Sequence, residues 1–271
     1  MLKIDGRTID YEESGEGPTV LFVPGSFSTP MAWRSIQKRL PQKYRFVSTS
    51  LCGYGETEET RSLGDLGMEH QIRVIEAVAK QTGGPVHLVG HSFGGTLSLA
   101  VALEGALAGV VEVLSIATFE ANPLALIGEH GGAELLAATQ RMSGKFEAAY
   151  HSGDPDAAGQ IIDFWGGAGS FAAMPEGVRE YCRATAYANV LDWRTAYEFQ
   201  AQKVDYAGLS MPVLIVRGGL ANPAMVAISE ALSASIPSVV SADVEGASHF
   251  LITSHADECA ELLAEFLGKN A

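Results

Sequence analysis

Two kinds of hydrophobic pattern alternate along this chain. Thr19–Val23, Arg45–Ser50, Val86–Val89, Val110–Thr118, Pro212–Arg217 and Val239–Val244 read as short strands, and Thr19–Val23, Val86–Val89 and Val110–Thr118 are apolar enough to be buried. Between them lie stretches with apolar residues at helical spacing: Met31–Leu40, Asp65–Thr82, Thr96–Ala102, Ala224–Ser235 and Ala256–Leu267. In Asp65–Thr82 the stripe is Ile72, Ile75, Val78 and Ala79. Near the start, Leu2–Ile4 and Thr8–Glu12 read as a hairpin around the turn dipeptide Asp5-Gly6. Strands alternating with helices predict an α/β fold, a mostly parallel sheet with helices on both faces.

The alternation breaks once. From Asn122 to Ser210 strand-like runs vanish, and Leu135–Met142, Ala157–Trp165, Val178–Ala188 and Trp193–Gln200 read as short helices. The expected organisation is therefore a core domain of residues 1–121 and 211–271 carrying an inserted helical cap of residues 122–210.

Composition narrows the class. At 271 residues, 47% hydrophobic and 18% charged, the chain can bury a full core. A net charge of −14 argues against nucleic acid or an anionic membrane surface as partner. The start, Met1-Leu2-Lys3-Ile4-Asp5-Gly6, lacks a signal-peptide core, and no window approaches the ~20 apolar residues of a membrane span. Cys52, Cys182 and Cys259 are far apart, odd in number and in no metal spacing, so free thiols in a reducing cytoplasm are expected.

The chemistry centres on Gly90-His91-Ser92-Phe93-Gly94-Gly95. A strand-type run precedes this Gly-x-Ser-x-Gly pattern and a helix-compatible run follows it, the context of a nucleophile elbow. There Ser92 would expose its hydroxyl above the sheet. The backbone N–H of Phe93, at a helix N-terminus, would face developing negative charge. No His-x-His-x-Asp or His-Glu-x-x-His spacing occurs, so no metal or cofactor is expected.

The Pro24-Gly25 loop, Leu51-Cys52-Gly53-Tyr54-Gly55, the elbow, the helical insert and Gly246-Ala247-Ser248-His249-Phe250 come in that order. Together they resemble the α/β-hydrolase superfamily over essentially the whole chain. The resemblance implies His249 as the base and structural packing for His91. It implies Ser26, after the Pro24-Gly25 step, as the second oxyanion-hole residue beside Phe93. The usual acid position, after the strand Val213–Arg217, falls on Ala221 and carries no carboxylate. Relatives such as haloalkane dehalogenases place the acid one strand earlier, which corresponds to Glu120; the alternatives are Asn222, as a neutral partner for His249, and no third member at all. Phe27, Trp33, Phe93, Phe119, Trp165, Tyr187 and Trp193 are candidates for a substrate pocket, and Tyr54 for bracing the sheet edge.

The reading that follows is a serine hydrolase of small carboxylic esters, linear or lactone, acyl-homoserine lactones included, acting as a monomer or homodimer. A dehalogenase would need aspartate at position 92. A C–C bond hydrolase, a thioesterase and a non-catalytic small-ligand binder stay open at this point.

Overall fold

The computed structural model describes residues 1–4 and 6–270. Nine strands occur among the described residues. They are β1 (Leu2–Ile4), β2 (Arg7–Ile9), β3 (Glu12–Ser14), β4 (Thr19–Val23), β5 (Arg45–Ser48), β6 (Val86–His91), β7 (Val113–Phe119), β8 (Val213–Gly218) and β9 (Val239–Val244). Seven form one sheet in the order β3-β5-β4-β6-β7-β8-β9. Only the edge strand β3 runs antiparallel; the pairs from β5 to β9 are parallel.

The strands bury both faces by simple alternation. In β4, Leu21 and Val23 point into one core with the helices Glu69–Thr82, Phe93–Leu103 and Pro223–Ser235. Val20 and Phe22 point into the other, against Trp33, Ile36 and the helix Ala256–Lys269. This is a doubly covered α/β sheet.

Local departures from the sequence reading have local causes. The second hairpin arm is split: β2 ends at Ile9, and β3 crosses to pair with β5. Of the expected turn dipeptide, Asp5 lies outside the described residues, while Gly6 has φ +80°. Met31–Leu40 forms a 3₁₀ turn at Pro30–Trp33 and one α turn at Arg34–Gln37, its start capped by Thr29. The next helix starts at Glu69, beyond Gly67, rather than at Asp65. Val178–Ala188 is interrupted at Thr185, giving the helices Glu176–Ala184 and Ala186–Glu198. Between β7 and β8 the chain is helical and turn-like, its longest helix being Ala133–His151.

Register brings the candidate chemistry to one edge. His91 lies beside Phe119, and Phe119 beside Val216. Ser92 and Glu120 therefore emerge together where neighbouring parallel strands end. The loop after β9 delivers His249 to the same edge. Open α/β sheets bind ligands at this carboxyl edge. No helix of the described residues is long and apolar enough to cross a membrane.

Candidate active site

Ser92 is the single residue between β6 and the helix Phe93–Leu103, with φ 53° and ψ −125°. L-residues rarely adopt positive φ, and among the described non-glycine residues only Phe27, Ser92 and Glu120 do so. All three border the candidate site, where backbone strain tends to collect. The turn is tight enough to require its glycines. A Cβ at Gly90 would run into the carbonyl of Gly94, and one at Gly94 into the carbonyl of Pro24.

A continuous chain of hydrogen bonds starts at this serine. Ser92 Oγ lies 3.0 Å from His249 Nε2, and His249 Nδ1 lies 2.7 Å from Glu120 Oε2. Glu120 is 1% exposed, so its carboxylate needs internal partners. Besides His249, it accepts the Gly218 N–H on Oε1 at 2.7 Å. Its own N–H donates to Val216 O at 2.8 Å, fixing the residue to the end of β8. Glu120 can therefore hold the His249 tautomer whose Nε2 accepts a proton from Ser92.

The imidazole of His249 packs against two other rings. Trp165 stacks on it at 5.6 Å between ring centroids, and His91 lies at 4.9 Å on a tilted plane. Burial, then the neighbouring His249 ring, lowers the His91 pKa to about 3, so His91 is neutral. Its Nε2 donates to the His249 carbonyl at 2.8 Å, tying the elbow to the histidine loop.

These groups lie at a largely apolar cavity of about 540 Å³. Of the pocket candidates, Phe27, Phe93, Trp165 and Trp193 line it, as does Ser26. Among the described residues the Ser26 N–H meets no acceptor, and Gly25 packs against Ser92. Four sequence expectations need correction. Trp33 and Phe119 do not face the cavity: Phe119 shares the inward parity of Ala117 and packs edge-on against Trp33, 5.9 Å away, in the core beneath the sheet. Tyr187 sits on the outer side of the helix Ala186–Glu198, stacked on Tyr150. Asn222 is no partner for His249. It caps the helix Pro223–Ser235 by accepting from Ala224 N and donates to Phe164 O.

Sequence reasoning missed a buried polar cluster at the cavity. Asn189, Asp192, Trp193 and Ala196 recur at helical spacing along Ala186–Glu198 and all face the cavity. Asp192 accepts from Ser26 Oγ at 2.6 Å, Tyr54 Oη at 2.6 Å and Arg61 Nη1 at 2.7 Å. Arg61 also pairs with Glu59 and donates to the carbonyl of Cys52. Burial raises the Asp192 pKa, opposed by Arg61 and the hydroxyl donors. Burial also opposes the Arg61 charge, but Asp192 and Glu59 outweigh it and raise its pKa. Tyr54 is thus part of this cluster rather than a plain edge brace. The helical spacing of an aspartate and an asparagine beside Trp193 was the available signal.

The remaining reactive groups stand apart. Cys52, Cys182 and Cys259 are free and buried, their pKa values raised by burial to about 11, 11 and 12. Asp65, Glu69 and His70 bring ligand atoms within 4.8 Å of one another. There the His70 ring is already engaged by Thr60 Oγ1 and Asp65.

The chain belongs to the alpha/beta hydrolase family, whose model matches residues 20–262. Its sequence is similar to protein phosphatase methylesterase 1 of Bos taurus, 26% identical over 120 residues, covering 42% of this chain and 31% of that protein. It is also similar to haloalkane dehalogenase 2 of Mycobacterium tuberculosis, 32% identical over 99 residues, covering 36% of this chain and 34% of that protein. The chain thus spans about a third of the length of the curated relatives it matches. An esterase from Exiguobacterium antarcticum shares the fold over 98% of this chain and 97% of its own, with a TM-score of 0.77 at 16% identity.

Proposed function

We propose that this protein is a serine hydrolase of carboxylic esters, linear or cyclic, with Ser92 as nucleophile, His249 as base and Glu120 as the acid orienting it. The observation that carries this reading is the unbroken hydrogen-bond chain Ser92–His249–Glu120 at the cavity. In the reaction His249 takes the Ser92 proton as Oγ attacks the ester carbonyl. The oxyanion is held by the N–H groups of Ser26 and Phe93. The alcohol leaves with the proton from His249, and water, activated by the same histidine, releases the acid and frees Ser92. The partner is a small molecule of mainly apolar character, since Ile161, Trp165, Trp193 and Phe250 dominate the walls. The partial sequence similarity to a methylesterase supports the same bond class.

The test is hydrolysis of a p-nitrophenyl ester and lactone series by wild type and Ser92→Ala. Wild-type turnover should fall by roughly 10³-fold or more in the variant, with the fold intact by circular dichroism. Appreciable turnover by Ser92→Ala would remove the mechanism.

A further inference from the structure

The loop that carries the Ser26 N–H is barely held by its own backbone. Among the described residues, Gly25, Ser26 and Phe27 make no backbone–backbone hydrogen bond. The glycine before Ser26 leaves the peptide between them free to turn, and Phe27 after it sits at φ 57°. Strained backbone of this kind persists only where surrounding contacts over-determine it. The loop also lies hard against the nucleophile, since a Cβ at Gly25 would come within 2.9 Å of Ser92 Cβ.

The contacts that hold the loop come from side chains, and they meet at Asp192. Ser26 Oγ donates to Asp192 Oδ2 at 2.6 Å. Tyr54 Oη donates to the same oxygen at 2.6 Å, and its ring meets Phe27 edge-on at 6.3 Å between centroids. Arg61 Nη1 holds the other oxygen, Oδ1, at 2.7 Å. Asp192 is 3% exposed and stands on the helix Ala186–Glu198, so the anchor is buried and seated on a regular element. Bonds to an ionised carboxylate are short and strong, as a tether requires.

We infer that Asp192 is a positioning residue for the oxyanion hole: through the Ser26 hydroxyl, it sets the direction of the Ser26 N–H. The inference deepens the ester hydrolase reading and rests on it for the charge that this N–H meets. Fixing Oγ fixes the Ser26 rotamer and, through Cα, the plane of the Gly25–Ser26 peptide. A mis-aimed donor weakens contact with an oxyanion that exists in the transition state and not in the bound ester. Loss of the tether therefore lowers kcat and leaves KM nearly unchanged.

The test compares four forms of the full chain: wild type, Ser26→Ala, Asp192→Asn and the double variant. Ser26→Ala keeps the N–H and the Asp192–Arg61 ion pair and removes only the tether. In Asp192→Asn the Arg61 guanidinium retains the amide oxygen, so an NH₂ group faces Ser26 where an acceptor stood. Hydrolysis of p-nitrophenyl octanoate gives kcat and KM. Calorimetry gives Kd for 1,1,1-trifluorodecan-2-one and for decan-2-one. With the trifluoro ketone, Ser92 Oγ bonds to the carbonyl carbon, its proton passes to His249 Nε2, and the carbonyl π pair becomes the oxyanion. Decan-2-one, far less electrophilic, reports ground-state binding.

Each single variant should lose about 10- to 100-fold in kcat and in affinity for the trifluoro ketone. KM and the decan-2-one Kd should stay within about threefold of wild type, and the double variant within about threefold of the weaker single, because both changes break one link. Should Asp192→Asn not fold, Ser26→Thr, which restores the hydroxyl, should recover the kcat lost in Ser26→Ala. An unchanged kcat in Ser26→Ala, equal losses for both ketones, losses that multiply in the double variant, or no recovery in Ser26→Thr would overturn the inference. So would a kcat that rises in Asp192→Asn, since the freed hydroxyl would then serve the oxyanion itself. If wild type cleaves no ester but prefers the trifluoro ketone, and the variants lose that preference, the ester reading fails and the positioning role stands. No such preference in wild type overturns both.

Discussion

Glu120 shows how much depends on one residue's conformation. At φ 50° it turns away from β7 just where the strand ends, and its two carboxylate oxygens are divided between Gly218 N–H and His249. Glu120→Gln preserves size and the Gly218 contact but no longer holds a charge beside the imidazolium. We expect kcat to fall about 10²–10⁴-fold, as when a triad acid becomes its amide. Ester hydrolysis measured across pH checks this, and an unchanged rate would take the acid role from Glu120. Ser92 was marked by its glycine spacing, whereas His249 and Glu120 were named only through the family resemblance, one after the last strand and the other at a strand end. Asp192 was missed despite its helical spacing from Asn189, because its main partner, Arg61, is distant in sequence. Asn222 misled for a related reason, since a residue before Pro223 is as well placed to cap a helix as to meet a histidine.

Among the elements, strands were easier to read than helix faces. A continuous apolar run needs only to be recognised as buried, and β4 matches its expected span residue for residue, every position buried; β9 also matches its span, but as a half-exposed edge strand. A helix in the insert is packed on several sides, so periodicity alone does not say which stripe faces the cavity. Tyr187 lies two positions from Asn189, about 200° around the helix, and so points away. The same pairing of elements produces an acid-sensitive seam. His87 in β6 bonds Ser115 in β7 through Nδ1, and its Nε2 is buried without a partner. Burial lowers its pKa to about 4, from an ordinary value of 6.5. Between those values the unfolded chain binds more protons, so stability is full above about pH 6.5 and lost as pH falls toward 4. This histidine contributes up to about 1.4 kcal/mol per pH unit in that window. Thermal melts from pH 4 to 7 should show a shallower acid limb for His87→Asn than for wild type; identical limbs would contradict the assignment.

For the whole molecule, the decisive contact is the one joining the helical insert to the sheet's loops. Arg61 and Glu59 follow β5, Ser26 follows β4, and Asp192 comes from the insert. Exposed ion pairs contribute little, but removing one partner of a buried pair strands the other charge. Arg61→Leu should therefore destabilise the protein by about 3–5 kcal/mol in denaturant titrations. A loss under 1 kcal/mol would mean that apolar packing alone seats the insert. The overall architecture was legible because alternation of strand and helix is written along the chain. The seating of the insert was not, because it rests on contacts between distant segments.

The rings packed around His249 have an optical consequence. The chain has three tryptophans: Trp33 is sealed in the core, whereas Trp165 lies face-on to His249 with Trp193 stacked behind it at 6.0 Å. Intrinsic fluorescence therefore divides into a background from Trp33 and a signal from Trp165 and Trp193, which both line the cavity, so a ligand entering it changes the emission of that pair.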